Sequence, residues 1–162
     1  MRMFGRLALI TALSLGAVDV SAQDYDVGFA AMEKRDYKTA LREFAPLATQ
    51  GNAKAQMWVG LIYERGLGVP KDYYSAIKWL RLAANQGQSQ SQTLLGKLNE
   101  GGNGIPQNNV IAHMWYNIAS ANGDVGAPKL RDDLEAKMTA EDISKAQAMA
   151  SECMSSGYKK CG

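Results

Sequence analysis

The chain has 162 residues with 18 basic and 16 acidic side chains, one histidine and two cysteines. Its formal net charge of +2 gives no electrostatic footprint for nucleic acid and no polybasic patch for anionic lipid. A chain of this length fits one domain with a real hydrophobic core.

The first residues are read as an export signal. Arg2 and Arg6 precede an almost continuously apolar run from Leu7 to Val18, and Val20-Ser21-Ala22 places small residues before Gln23, the layout of a cleavable leader. The apolar run is too short to span a bilayer stably. A cut after Ala22 is therefore expected, with a mature chain from Gln23 that has no membrane span. Removing two arginines and one aspartate with the leader leaves 16 basic and 15 acidic residues, a net of about +1.

The stretch GFAAMEKRDYKTALREFAPLATQG, from Gly28 to Gly51, predicts one helical hairpin over residues 23–50. Beyond it the chain repeats. Gly51, Gly87 and Gly123 are 36 residues apart, and at the same offset Gly60 matches Gly96, Glu64 matches Glu100, Gly66 matches Gly102 and Gly68 matches Gly104. Val69 with Ile105, Pro70 with Pro106, Ala76 with Ala112, Trp79 with Trp115 and Ala83 with Ala119 continue the series. A period in this range signals stacked supersecondary units. The units are expected at 51–86 and 87–122, followed by capping helices over 123–162.

Each unit reads as two helices. In AKAQMWVGLIYERG the apolar or small positions are Ala55, Val59, Leu61, Ile62 and Tyr63, and Gly66 is a stop signal. In DYYSAIKWLRLAANQG a second stripe runs through Tyr73, Ala76, Ile77, Leu80, Ala83 and Ala84, with Asp72 as N-cap and Gly87 at the C-terminal end. Gly60 and Gly96 fall inside helical stretches, where glycine costs roughly 1 kcal/mol relative to alanine. Close helix contact is the expected compensation, with Trp79 and Trp115 filling the wider gaps. The segment GLGVPKD between the helices is a joint and not a phosphate cradle: it leaves a helix, and Lys71 becomes Gln107 in the second copy while the glycines and proline recur.

These residues carry a family resemblance. VGLIY, GLGVPKDY and AIKWLRLAANQG resemble the Sel1-like repeat, a tetratricopeptide-type helical hairpin, over about residues 36–138. The resemblance implies an all-α, right-handed α-solenoid acting as an adaptor or scaffold of the bacterial cell envelope, in the periplasm or secreted. Asn99 for Tyr63, Lys97 for Leu61 and Asn108 for Asp72 make the second unit the looser match. The first hairpin lacks four residues, because Gly28 precedes Ala40 by 12 positions where Gly60 precedes Ala76 by 16; it reads as a plain tetratricopeptide-like cap. At the other end, Arg131, Asp132, Asp133 and Glu135 make a helix over 127–138 a polar closing surface, and Thr139 with Asp142 forms a capping box.

Cys153 and Cys161 each lie four residues from Gly157, as Ala83 and Ser91 do from Gly87. If the contact between small residues at those positions is preserved, the two cysteines can bond and pin the tail as the stub of one more unit. The alternative is two unpaired thiols on a frayed terminus.

Chemistry-bearing constellations are few. His113, on the helix containing AHMWYN, has no second histidine or ligand cluster for a metal and no serine in a GxSxG-type setting; a packed structural role is expected. Asp132, Asp133 and Glu135 read as a solvated face, and Met138, Met149 and Met154 as core. No cofactor, metal or catalytic residue is predicted. One alternative comes with the resemblance: cysteine-rich Sel1-like proteins are associated with β-lactam- or peptidoglycan-directed hydrolysis, and the single terminal pair fits their spacing. The favoured function is capture of a protein or peptide in the concave groove of the solenoid. By alignment with the tetratricopeptide hairpin, that groove is expected to be lined by Tyr25, Phe29, Met32, Lys54, Met57, Leu61, Glu64, Arg65, Gln90, Thr93, Lys97 and Glu100.

Overall fold

Residues 20–161 are described by a computed structural model, and among them eight helices and no strand are found. The helices are α1 (Val20–Glu33), α2 (Tyr37–Thr49), α3 (Ala53–Arg65), α4 (Tyr73–Ala84), α5 (Ser89–Gly101), α6 (Asn109–Ala121), α7 (Ala127–Glu135) and α8 (Ala140–Ser155). From α1 to α6 each helix packs on its neighbours in chain order, and α6 then packs on both α7 and α8. Most of the expected export signal lies outside the described residues; Val20–Ala22 fall in the first turn of α1.

Local chemistry fixes where helices start and stop. Asn52, Asp72, Gln88 and Asn108 each accept, through the side-chain oxygen, the amide three residues on, satisfying a donor the helix cannot. The Ser75 hydroxyl and then the Ser75 amide hold the Asp72 carboxyl below its ordinary pKa. Gly66 and Gly102 end α3 and α5 in the left-handed conformation, at φ 67° and 68°, where a side chain would be strained. The joint then closes the same way twice: the amide of Asp72 donates to the Tyr63 carbonyl at 3.0 Å and that of Asn108 to the Asn99 carbonyl at 2.9 Å. Because the joint uses main-chain groups, Asn99 for Tyr63 and Asn108 for Asp72 leave it unchanged. The shorter α1–α2 turn has no room for the loop and places Arg35 at φ 58° instead.

Inside the hairpins, glycine sets the helix separation, although the residue that uses the space differs from the one expected. A Cβ on Gly60 would lie 2.7 Å from Leu80 Cγ, and one on Gly28 would lie 2.7 Å from Phe44 Cε1; on Gly96 it would collide with Tyr116. Phe44, Leu80 and Tyr116 are spaced by 36 and fully buried. The tryptophans stand one residue earlier, on a different face: Trp115 is 2% exposed and packs with the C-terminal segment, while Trp79 is only half-buried.

Between hairpins, a polar ladder repeats. Gln56 Nε2 donates to the Ala48 carbonyl at 3.0 Å and its Oε1 accepts from Gln86 Nε2 at 2.8 Å. One unit later Gln92 Nε2 donates to the Ala84 carbonyl at 3.0 Å and its Oε1 accepts from Asn122 Nδ2 at 2.9 Å. Both glutamines are buried, so each buried amide is matched to a late carbonyl of the preceding hairpin.

The C-terminal segment departs from the regular hairpin. α7 ends at Glu135, three residues before the expected boundary, and Met138 packs on Ala112, Tyr116 and Leu134. Thr139 caps α8, its hydroxyl accepting the Asp142 amide at 3.1 Å. Cys153 and Cys161 form a disulfide with Cα atoms 4.7 Å apart, which excludes the reading as two free thiols. The tail joins a core containing Leu80, Ala84, Trp115 and Ala150. Of the methionines expected inside, Met149 packs on this core, whereas Met154 is 37% exposed.

Two outcomes follow. Gly60→Ala is expected to destabilise by about 1–3 kcal/mol, because overpacking against Leu80 exceeds the gain in helix propensity, and denaturant titration should show much of that loss restored in Gly60→Ala/Leu80→Ala. Replacing Cys153 and Cys161 together by serine should cost about 2.5 kcal/mol in the chain-entropy account, read as a lower melting temperature under oxidising conditions and none under reducing ones.

Candidate functional site

The first helices of successive units align their side chains along one groove of about 280 Å³. α3 supplies Met57, Trp58, Leu61 and Arg65, α5 supplies Gln90, Thr93, Leu94 and Lys97, and Asp124, Gly126 and Leu130 close the end at the start of α7. Helical spacing explains the alignment: Met57, Leu61 and Arg65 are four residues apart, and Thr93 and Lys97 are the counterparts of Met57 and Leu61 36 residues later.

Six of the residues expected in a groove therefore share one: Met57, Leu61, Arg65, Gln90, Thr93 and Lys97. The other six do not line it. Tyr25 packs in the core of the first hairpin, its hydroxyl accepting Trp58 Nε1 at 3.0 Å and its ring 5.5 Å from Phe44. Met32 packs on the same core. Phe29 is 40% exposed and meets the edge of Trp58 at 5.8 Å. Lys54 is exposed. Glu64 lies 3.4 Å from Arg65 Nε, and Glu100 accepts the Tyr116 hydroxyl at 2.9 Å. Burial, and then the hydrogen bond to Glu100, push the Tyr116 phenol well above its ordinary pKa. The residues missed in the sequence were Trp58, Leu94, Asp124, Gly126 and Leu130. Trp58, Leu94 and Leu130 are successively 36 apart, so the repeat itself carried the signal for those three.

The groove has an apolar floor and a charged rim. Met57 and Thr93 are buried at 5% and 7% exposure, and Leu61 and Leu94 are half-buried. The Thr93 hydroxyl oxygen has no hydrogen-bond partner among the described residues, but the atom itself is closed off from the groove surface. Arg65 and Lys97 stand exposed on the rim. Asp124 is committed elsewhere: its Oδ1 accepts the amides of Gly126 and Ala127, both at 2.9 Å, and starts α7.

His113 lies outside the groove. It is fully buried on α6, with Nε2 2.7 Å from Glu135 Oε1 and Nδ1 3.4 Å from Asn117 Nδ2. Glu135 thus differs from the solvated role expected of it: it ties α7 to α6, while Asp132 and Asp133 pair with Arg131 and Lys129 on the surface. Among the described residues no group of three histidine, cysteine or acidic side chains could hold a metal ion, and no helix is long and apolar enough to cross a membrane.

Eight stacked helices with a groove along the first helices of consecutive hairpins define a helical-repeat solenoid of the interaction type. Residues 53–88 and 89–124 each match the family model of the Sel1 repeat, so the chain contains two Sel1 repeats. Such repeats commonly serve as protein-interaction modules. Two solved structures are similar. A protective antigen of uropathogenic Escherichia coli with an SLR fold superposes with a TM-score of 0.80 at 27% identity, over 87% of this chain and 31% of its own. A Sel1 repeat protein from Oxalobacter formigenes superposes with a TM-score of 0.62 at 28% identity, over 70% of this chain and 88% of its own. The chain thus spans less than a third of the length of the first. No curated protein is detectably similar in sequence.

Removing the partner of a buried imidazole leaves it unsatisfied. Glu135→Ala should therefore lower the unfolding free energy by about 2 kcal/mol, and Glu135→Gln by less, since the amide oxygen can still face Nε2; urea titration of both variants checks the order.

Proposed function

We propose that the protein is a non-catalytic adaptor of the bacterial cell envelope that holds a protein or peptide segment along the α3–α5–α7 groove. The observation that carries this reading is the apolar floor of Met57, Leu61, Leu94 and Leu130, flanked by Arg65 and Lys97. An extended floor favours a side-chain-rich ligand over a small anion, and the two cations favour carboxylates on the partner.

The envelope location is supported by the leader pattern at residues 1–22 and by the disulfide, which persists in oxidising compartments. Likeness to a protective antigen is in keeping with it.

Charge reversal at exposed positions tests the groove without touching the core. Arg65→Glu/Lys97→Glu should weaken capture of the native partner by an affinity-tagged protein at least tenfold, about 1.4 kcal/mol, at an unchanged melting temperature. Undiminished capture would refute the assignment.

A further inference from the structure

Trp79 and Trp115 occupy the same position of consecutive units, yet their surroundings differ. Beside Trp115 lie Tyr158, Lys159 and Cys161 of the tail, and Ala150 and Cys153 of α8 share its core. No described residue does this for Trp79. It faces a hollow of about 440 Å³ between α2 and α4, walled by Leu41, Ala45 and Val69, with Lys38 and Arg42 among its lining. Advancing by 36 residues carries Leu41, Ala45 and Trp79 to Ile77, Arg81 and Trp115. Ile77 packs on the core that α8 joins, and Arg81 and Trp115 border, with the tail, a remnant of about 90 Å³. The chain therefore holds the same groove twice, once filled by its own α8 and tail and once open.

The filled copy shows what the open one accommodates. α8 enters with small side chains at Ala146, Ala150 and Cys153, spaced four and three residues apart and buried, which lets a helix approach closely. The open copy differs in two informative ways. Ala45 stands where Arg81 stands, which leaves the hollow deeper, and Lys38 stands where Tyr74 stands, so one cation is removed and another supplied at a different position. Lys38 is exposed with no ion-pair partner among the described residues, while Arg42 pairs only with its neighbour Glu43 at 2.8 Å.

We propose that the α2–α4 hollow is a second docking site, separate from the α3–α5–α7 groove, for an amphipathic helix of another protein that is built as α8 is, with small residues along its apolar face and carboxylates on its flank. The small face seats against Trp79 and Leu41, and the carboxylates meet Lys38 and Arg42.

The chain's own C-terminal segment supplies a probe. A labelled, disulfide-closed peptide of residues 139–162, which carries Glu141, Asp142 and Glu152, is titrated into the purified protein and followed by anisotropy and by tryptophan fluorescence. Saturable binding is expected, weakened at least tenfold by Ala45→Glu in the protein and by lysine at the three acidic positions of the peptide. Trp79→Phe should remove the fluorescence response while leaving the anisotropy change. Capture through the other groove should be untouched by Ala45→Glu, which separates this site from that one. Absence of binding up to millimolar peptide would overturn the proposal, as would binding indifferent to Ala45→Glu or a fluorescence response surviving Trp79→Phe.

Discussion

Within each hairpin, one helix presents a glycine and the other drives a large side chain into the space left by the missing Cβ. Gly28 receives Phe44, Gly60 receives Leu80 and Gly96 receives Tyr116. Glycine weakens each first helix by roughly 1 kcal/mol, but burying a leucine or an aromatic ring against backbone returns more than that. The pairing also fixes register, because only one residue in the second helix can stand opposite the glycine. The joint, the caps and the groove all inherit their positions from that register.

Stacking depends on a second set of contacts that keep the same period. The joint glycines lie against the start of the preceding hairpin's second helix: Gly68 faces Tyr37, where an added Cβ would sit 3.0 Å from Tyr37 Cβ, and Gly104 faces Tyr73 in the same way. These glycines thus serve twice, turning the chain at positive φ and admitting the neighbouring unit. The Gln56 and Gln92 amides tie each first helix to the late carbonyls of the hairpin before it. Apolar contact sets the distance between units, and the polar ladder sets their sliding position, since a shifted unit would strand a buried amide.

Much of this architecture was legible because a repeat prints its constraints more than once. Gly60 and Gly96, and Pro70 and Pro106, recur at one offset, and periodicity alone placed the helices between them. The glycine partners were harder to read: tryptophan is the conspicuous large residue, but it stands one position before Leu80 and Tyr116, and about 100° around the helix from them. The glutamine ladder hid among polar residues that ordinarily face solvent. The half of the groove contributed by Met57, Leu61 and Arg65, with Thr93 and Lys97, followed from helical spacing. Tyr25 and Met32 belong instead to the core of a hairpin lacking the four-residue extension, whereas Asp124, Gly126 and Leu130 stand 36 residues beyond Gln88, Gln90 and Leu94, so the same offset continued past the second unit carried their signal.

The C-terminal end shows how a repeat stops. α7 and α8 both lean on α6, so the last segment leaves the repeating path and turns back over earlier units. Tyr158 bonds Asn122 at 3.0 Å and stands 3.6 Å from where a side chain on Gly87 would begin, reaching the ends of two successive hairpins at once. The disulfide holds Cys161 beside Cys153 on the helix it follows, so a short tail that could order few contacts alone keeps Trp115 covered. The same turn back leaves the α2–α4 surface out of its reach. Repetition builds equivalent surfaces, and the break in repetition decides which of them the chain itself occupies.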